Sequence, residues 1–235
     1  MAFRYSPKIV TDGLVLYLDA ANTKSYVSGS TTWNDISRGG NNGTLVNGPT
    51  FSSQNGGSIV FDGVNDYVDT ANSTGLNFTN TSGTVSLWFK TSVANTFLIA
   101  KNMDSTGGWG VLIDASGIPL FEAKNNASGA SAFYRYVNVT GTNNVWHNIV
   151  AAFTTSTSVV ANNTVSMYFD GVLNQSALTQ VLVYGGNTAG TIQLGRRTSG
   201  GYFNGNISNV QIYNRLLSAN EVLQNYNATK ARFGR

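Results

Sequence analysis

Apolar and polar side chains alternate with a period of two residues in short segments from one end of this chain to the other. Between residues 84 and 91, Val85, Leu87 and Phe89 fall on one side of an extended segment, and Trp88 falls on the other. Such alternation indicates a β-strand with one buried face. Clusters of Gly, Asn, Ser and Thr separate the segments, and the pattern predicts strands at 13–19, 58–62, 66–70, 84–91, 96–101, 109–114, 119–124, 132–139, 145–154, 164–170, 191–196 and 207–213.

Many short strands without an interrupting linker are typical of a single sandwich or barrel. Only three prolines occur in the 235 residues, and a chain of this length can bury about 70% of its surface. We therefore expect one domain over residues 13–228, preceded by an N-terminal arm at 1–12 and followed by a C-terminal tail at 229–235.

One helix is predicted near the C-terminus. Ser218 and Glu221 have the spacing of a capping box, in which the hydroxyl accepts the Glu221 N–H and the carboxylate accepts the Ser218 N–H. Leu217 lies at the staple position before the cap. Three residues would form the apolar stripe that the helix buries: Val222, Leu223 and Tyr226. Glu221 is therefore interpreted as a structural cap and not as a catalytic acid.

Charge is scarce, and its scarcity excludes several classes of function. Charged residues make up 11% of the chain and the net charge is +3, against about 25% charged residues in a typical soluble domain. Nucleic-acid binding needs clustered cations, and the nearest approach to a cluster is the pair Arg196–Arg197. No apolar run approaches the ~20 residues of a transmembrane helix. We therefore expect no nucleic-acid partner and no membrane insertion.

Export and thiol chemistry are not expected either. The first residues lack the apolar core of a signal peptide, which predicts synthesis in the cytoplasm without Sec-type export. The chain has no cysteine, so disulfides, thiol catalysis and cysteine-ligated zinc are excluded.

Seven motifs in order carry a family resemblance. They are GLVLYLDAAN (13–22), W-x-D-x-S with NNGT (33–44), IVFDGVNDYV (59–68), VWHNIVAAF (145–153), MYFDGV (167–172), IQLGRR (192–197) and FNGNISNVQIYNRLLSANEV (203–222). Together they resemble laminin-G-like, concanavalin A-like lectin/glucanase domains. The resemblance implies an all-β, two-sheet antiparallel jelly-roll sandwich with a short C-terminal helix.

A narrower resemblance involves the two ends of the chain. The segments YSPKIVTDGLVLYLDAANTKSY (5–26) and NYNATKARFG (225–234) look like small stand-alone versions in tailed phages, where they are virion structural proteins. This implies a position on the virion surface, in many copies or as a homo-oligomer, in contact with other virion proteins. Lys230, Arg232 and Arg235 would be free to contact an acidic partner surface.

The residues argue against catalysis. Glucanases of the resembling family carry a Glu-x-Asp-x-x-Glu arrangement on one strand, whereas the two glutamates here, Glu122 and Glu221, are far apart in sequence. A retaining glycosidase needs two carboxyls about 5 Å apart. His147 is the only histidine, and no nucleophile-elbow sequence accompanies it. We expect a protein that is not an enzyme and that requires no cofactor.

Calcium is the one metal hypothesis. Oxygen-ligated Ca²⁺ sites are frequent in domains of the resembling family, and Asp62, Asn65 and Asp66 offer oxygen ligands within one turn. The alternative is that Asp62 and Asn65 cap the turn by accepting hydrogen bonds from its own backbone N–H groups.

Glycan recognition is the binding function that the resemblance implies. Three aromatic residues beside glycine-rich loops are candidates for stacking on a sugar: Trp109, Tyr184 and Tyr202. The alternative for each is packing within its own loop. Trp146 is interpreted as a residue of the sandwich core.

The sequence therefore favours a non-enzymatic virion structural and binding module of a tailed phage. It would be a head decoration or a tail, neck or fibre component that contacts other virion proteins and host surface glycans. A carbohydrate-binding lectin that is not part of a virion is the alternative, and an atypical glycoside hydrolase is the third hypothesis.

Overall fold

A computed structural model describes residues 8–70, 74–103, 107–125, 130–186, 190–197 and 200–235, which form two packed antiparallel sheets. The strands of these residues, β1 to β17 in chain order, are Leu14–Asp19, Thr32–Trp33, Gly43–Val46, Thr50–Ser52, Ser58–Asp62, Tyr67–Thr70, Ser82–Lys90, Thr96–Lys101, Gly108–Ile113, Pro119–Lys124, Ser131–Tyr136, His147–Thr154, Thr164–Phe169, Val172–Leu173, Thr179–Gln180, Ile192–Leu194 and Asn204–Tyr213. The helix α1 spans Ala219–Thr229 and leads into a 3₁₀ turn at Lys230–Phe233. Shorter 3₁₀ turns lie at Gln54–Gly56, Thr74–Leu76 and Val160–Asn162.

The two sheets differ in strand order. Sheet A has eight of the described strands, in the order β14-β13-β12-β7-β17-β5-β4, with β1 also paired to β17. The long strand β17 pairs with β5 through Asn204–Ile207 and with β1 through Asn209–Tyr213. Sheet B has nine described strands, in the order β15-β11-β10-β9-β8-β16-β6-β3-β2. The predicted two-sheet antiparallel sandwich with a short C-terminal helix is confirmed.

The core lies between the sheets and uses the alternate positions that the sequence predicted. On β7, Val85, Leu87 and Phe89 are fully buried in the core, and Trp88 lies on the outer side of sheet A. From the other side, Phe121 of sheet B reaches Phe153 of sheet A, with the two rings stacked at 4.6 Å. Burial of these alternate side chains holds the sheets together, since each buried aromatic side chain contributes roughly 2–3 kcal/mol.

All twelve predicted strands are present, with ends displaced by a few residues. The structure adds five strands that the alternation did not predict: β2, β3, β4, β14 and β15. Each is only two to four residues long. A segment of that length is too short to show a period of two, and its pairing is decided by the neighbouring strand.

The predicted capping box is present at the start of α1. The Ser218 hydroxyl accepts a hydrogen bond from the Glu221 N–H at 3.3 Å, and the Glu221 carboxylate accepts the Ser218 N–H at 2.8 Å. Leu217 and Val222 belong to one buried apolar cluster, as expected for a residue pair that staples a helix start. In the part of the chain that the structure describes, no helix combines the length and the apolar character needed to cross a membrane.

The predicted apolar stripe of α1 is wrong at Leu223, which is 43% exposed. The helix instead buries Asn225, whose amide donates to the Tyr213 hydroxyl at 2.9 Å and whose Oδ1 accepts the Val10 N–H at 2.8 Å. A polar side chain is tolerated there because both of its ends are hydrogen-bonded. Val10 belongs to the predicted N-terminal arm, so the described part of that arm, residues 8–12, packs against α1.

The C-terminal segment 219–235 covers the outer face of sheet A, and we call it the C-terminal cover. The ring of Phe233 stacks on Trp88 with centroids 4.1 Å apart, and Tyr226 stacks on the same indole at 5.5 Å. Trp88 Nε1 donates to the Thr229 hydroxyl at 2.9 Å. Trp146 also lies here, 4.8 Å from Phe233, so it is buried under the cover and not in the sandwich core.

Two of the C-terminal arginines hold this cover in place. The Arg232 guanidinium donates to both oxygens of the Asp19 carboxylate, at 3.0 and 3.1 Å, and Arg235 pairs with Asp170. The expectation that these two cations are free for an acidic partner is therefore wrong. Their charges are already paired within the chain.

Candidate functional site

The outward side chains of sheet B form a continuous row across seven strands. The core residues Phe133, Phe121 and Val111 alternate with this row, so its members point away from the core. Each residue of the row is paired in register with the next one on the neighbouring strand. From β11 to β3 the row is Tyr134, Glu122, Gly110, Ala100, Gln193, Asp69 and Thr44. The middle of the row consists of Gly110 and Ala100, which are buried, and Ala100 belongs to a small apolar cluster with Phe97 and Met103. This cluster separates the two more polar ends.

One end of this row forms an open groove. Tyr134 and Tyr136 lie two residues apart on β11, and their rings meet edge to face with centroids 5.9 Å apart. Both side chains are half-buried, so each retains an accessible surface. The groove has a volume of about 330 Å³ and is lined by these tyrosines, two leucines, Ser131, Asp114 and Glu122. We call it the tyrosine groove.

The two carboxylates of the tyrosine groove are held by hydrogen bonds. Asp114 Oδ1 accepts the N–H groups of Ser116 and Ile118, each at 2.9 Å, and so closes the turn between β9 and β10. Glu122 Oε1 forms an ion pair with Lys124 at 2.9 Å and also accepts the Ser131 hydroxyl. Fixed carboxylates of this kind present oriented acceptors to a ligand hydroxyl.

The tyrosine hydroxyls supply the complementary donors. Partial burial raises the pKa of Tyr136, and the nearby charge of Asp114 raises it further. The hydroxyl is therefore protonated throughout the neutral range and donates a hydrogen bond. The groove thus combines two aromatic rings, hydroxyl donors and carboxylate acceptors.

The prediction that three aromatic residues stack on a sugar is wrong for two of them. Trp109 and Tyr184 are at most 1% exposed, because both side chains point into the core. Trp109 packs 5.8 Å from Phe78 and 5.6 Å from Phe153. A ring that is enclosed on all sides offers no face to a ligand.

The third candidate, Tyr202, is half-buried and lies outside the tyrosine groove. Its carbonyl oxygen accepts the Thr96 hydroxyl at 3.0 Å, which ties its loop to β8. The accessible aromatic pair of this face, Tyr134 and Tyr136, is not among the candidates that the sequence suggested. Their signal was the spacing in FYRY, where alternate tyrosines on one strand share the face opposite Phe133.

The Asp62–Asp66 turn, which links β5 of sheet A to β6 of sheet B, shows the capping hydrogen bonds. Asp62 Oδ1 accepts the Val64 N–H at 2.8 Å, and Asp66 Oδ2 accepts the Asp62 N–H at 3.1 Å. Asn65 contributes its carbonyl oxygen, which accepts the Asn47 amide at 2.9 Å. The hydrogen bonds that Asp62 accepts from backbone N–H groups, that of Val64 above all, lower its pKa. Burial raises the pKa of Asp66.

Calcium binding at this turn remains a prediction. One feature of the turn suits a calcium ion, namely a buried carboxylate oxygen. Asp66 is 4% exposed, and its Oδ1 is buried without a hydrogen-bond partner. An oxygen of this kind suits a hard cation. Within the described ranges, no group of three or more His, Asp or Glu side chains is placed to share a metal ion. Carbonyl oxygens and water would therefore complete the shell.

The single histidine, the first residue of β12, contacts the C-terminal cover through Arg235. His147 Nδ1 lies 2.9 Å from Asp170 Oδ2, and Nε2 lies 2.9 Å from Asn143 Oδ1. Both ring nitrogens are occupied, and Arg235 bonds to the same carboxylate. Glu221 is likewise engaged, by its cap and by Arg215 at 2.6 Å, and this lowers its pKa to about 2.

Comparison with solved structures shows the same fold in domains of several larger proteins. The binding domain of Paraclostridial Mosquitocidal Protein 1 is similar with a TM-score of 0.66 and 16% identity, over 92% of this chain and 52% of that chain. Domain 4 of AbnA, a GH43 extracellular arabinanase from Geobacillus stearothermophilus, was solved with arabinotriose and is similar with a TM-score of 0.63 and 15% identity, over 92% of this chain and 100% of that chain.

A third similar structure is the ligand binding domain of botulinum neurotoxin serotype D in complex with N-acetylneuraminic acid. Its TM-score is 0.65 and its identity 16%, over 92% of this chain and 51% of that chain. This chain therefore spans about half the length of the two toxin domains and the whole of domain 4. At these identities the likeness shows a shared fold.

No curated protein matches the sequence. A family model does match, that of Laminin_G_3, the concanavalin A-like lectin/glucanases superfamily, over residues 62–223. That match covers more than half of the chain and agrees with the two-sheet sandwich described above. The chain belongs to the concanavalin A-like lectin/glucanases superfamily.

Proposed function

We propose that this protein binds glycans through the tyrosine groove and acts as a binding module without hydrolysing its ligand. The observation that carries the proposal is the accessible, half-buried pair of Tyr134 and Tyr136 beside Asp114 and Glu122. Sugars present C–H faces that pack on aromatic rings and hydroxyls that bond to carboxylates. The groove offers both kinds of group on a rigid sheet.

The state of the carboxylates favours binding over hydrolysis. Glycoside hydrolysis needs one carboxyl that is kept protonated as an acid and a second that is free to attack or to activate water. Here Asp114 holds a turn, and Glu122 is neutralised by Lys124. The other glutamate, Glu221, is fixed on α1 beside sheet A, away from this groove.

Two of the similar structures support a carbohydrate ligand. Domain 4 of the arabinanase was solved with arabinotriose and the neurotoxin domain with N-acetylneuraminic acid. This chain covers the whole of the arabinanase domain and 51% of the neurotoxin domain, so the arabinotriose complex is the stronger support.

The proposal is tested by Tyr134→Ala and Tyr136→Ala, singly and together, on a glycan array and by titration calorimetry. We expect the double variant to lose binding, because stacking on an aromatic ring contributes most of the contact area, and to melt within a few degrees of the wild type. Tyr202→Ala is the matched control, since it removes a half-buried tyrosine outside the groove.

Wild-type affinity in the double variant would contradict the proposal. Turnover of a polysaccharide that is lost in Glu122→Gln would favour the glycoside hydrolase instead.

We further propose that this module works on the surface of a tailed-phage particle, as a head decoration or a tail, neck or fibre component in contact with other virion proteins. The support is the resemblance of segments 5–26 and 225–234 to virion structural proteins; residues 5–7 lie outside the described ranges. Quantitative mass spectrometry of purified particles tests this setting. A copy number that follows the capsid protein indicates a decoration, and one that follows the tail proteins indicates a tail or fibre. Absence from particles together with sugar binding indicates a free lectin.

A further inference from the structure

Two arginines lie on the same outer face of sheet B as the tyrosine groove, beyond its small central residues. Arg196 and Arg197 follow the end of β16, the strand between β8 and β6, after one intervening glycine. The Arg196 guanidinium lies 3.5 Å from the ring centroid of Tyr67 on β6, and that of Arg197 lies 5.4 Å from Phe97 on β8. The strands that carry these two rings are about 10 Å apart across β16. We call these residues the arginine pair.

Neither cation of the arginine pair has an anionic partner within the described ranges. No described carboxylate lies within 4.0 Å of either guanidinium, whereas Arg215, Arg232 and Arg235 are each paired with one. The Nε of Arg196 and of Arg197 is also buried without a hydrogen-bond acceptor among the described residues. The pair is therefore positioned by aromatic rings and not by ion pairs that would neutralise it.

A guanidinium that contacts an aromatic ring is partly preorganised to bind an anion. Stacking fixes the orientation of the fork and lowers the entropy that a flexible cation loses on binding. The planar fork matches the two oxygens of a carboxylate or of a sulfate ester. Groups of this chemistry occur on acidic sugars. Four strand spacings, about 19 Å, separate β11 of the tyrosine groove from β16, so a ligand that reaches both sites would be an oligosaccharide or a polymer and not a single sugar.

We propose that the arginine pair binds an anionic group of the glycan, a carboxylate or a sulfate ester, and so makes this face selective for acidic saccharides. The inference rests on the proposed glycan-binding function and specifies the class of ligand. In this arrangement the tyrosine groove binds neutral sugar units of the glycan, and the arginine pair binds its anionic group.

The test compares polymers that differ only in charge. Polygalacturonate is set against its fully methyl-esterified form, and dextran sulfate against dextran, with wild type, the double variant Arg196→Gln/Arg197→Gln, and Arg196→Lys. The matched control is Lys24→Gln/Arg38→Gln, which removes two exposed cations from loops outside this face. Melting curves confirm that each variant is folded.

We expect the wild type to bind one acidic polymer at least about tenfold more tightly than its uncharged counterpart, the effect of one charge-assisted hydrogen bond. The acid-specific gain should disappear in the double glutamine variant, shrink in Arg196→Lys and persist in the control. It should also weaken with added salt. A gain for polygalacturonate identifies a carboxylate as the ligand, and a gain for dextran sulfate identifies a sulfate ester.

Equal binding of both members of each pair, or a gain that survives in the double glutamine variant, would overturn the inference and leave the proposed function intact. An equal loss in the control would also overturn it, since net charge would then explain the preference. If no polymer and no glycan on the array binds, the proposed function and this inference fail together.

Discussion

Both outer faces of the sandwich carry aromatic side chains, and the two faces differ in what lies over those rings. On sheet A, Trp88 and Trp146 lie under Phe233 and Tyr226 of the C-terminal cover. On sheet B, Tyr134 and Tyr136 keep an open edge beside carboxylates and hydroxyls. Indole rings on a sheet face bury a large apolar area when another segment packs over them. Tyrosines with polar neighbours can instead stay in contact with water, because their hydroxyls are hydrated.

The charges follow the same division. The cover uses Arg232 and Arg235 to pair with Asp19 and Asp170, so its cations stabilise the fold. The open face leaves Arg196 and Arg197 without a carboxylate partner among the described residues. If the proposed function holds, the covered face of sheet A serves stability, and the tyrosine groove and arginine pair of sheet B serve recognition. The first prediction below compares the two faces, and the others test the turn between the sheets and the C-terminal cover.

The largest effect is expected at the covered face. Trp88→Ala should lower the free energy of unfolding by about 3–5 kcal/mol, because it removes a fully enclosed indole and leaves a cavity under the cover. Tyr136→Ala should cost far less stability, since its side chain is only partly buried and lines an open groove. Chemical denaturation of both variants measures the difference. Equal losses would remove the distinction between a covered and an open face.

The next effect concerns the turn that joins the two sheets. If Ca²⁺ binds at Asp62 and Asp66, a hundredfold excess over its Kd should stabilise the fold by about 2.7 kcal/mol. Asp66→Asn should abolish that gain, because it removes the charge on the buried unpartnered Oδ1. Melting curves with calcium and with chelator measure the difference. Identical curves would leave the backbone capping bonds as the only role of the turn.

A smaller effect is expected where the cover begins. Ser218→Ala should destabilise the protein by about 1 kcal/mol, because the Glu221 N–H loses its acceptor at the helix start. Asn220→Ala, at an exposed neighbouring position, is the matched control and should change little. Equal effects of the two substitutions in thermal or chemical denaturation would contradict the capping role.

The smallest effect is a dependence on pH. The Arg215 guanidinium and the Ser218 cap lower the pKa of Glu221 from 4.5 to about 2. A carboxyl with a depressed folded pKa stabilises the fold above its unfolded pKa and loses that contribution as the pH falls through the folded value. Glu221→Gln should therefore be less stable than wild type at neutral pH, and the gap should close between pH 4.5 and 2. A gap that does not change over this range would contradict the assignment.

The sequence determined what depends on neighbours along the chain. The alternation in β7 and the spacing of Ser218 and Glu221 each act over a few residues, so the strands and the capping box could be predicted. The family resemblance then supplied the two-sheet arrangement that these local patterns leave open. The short strands β2, β3, β4, β14 and β15 were missed because only a paired neighbour makes segments of that length into strands.

Only the tertiary structure decided which aromatic residues are accessible. Trp109 and Tyr136 both lie on predicted strands, but sheet packing places the first in the core and the second on the outer face. Similarly, Trp146 is buried because residues 219–235 fold back over it, a contact between positions far apart in sequence. Such long-range burial depends on which segments pack against each sheet face. A period of two residues determines which side chains share a face of a strand, but it does not determine what covers that face.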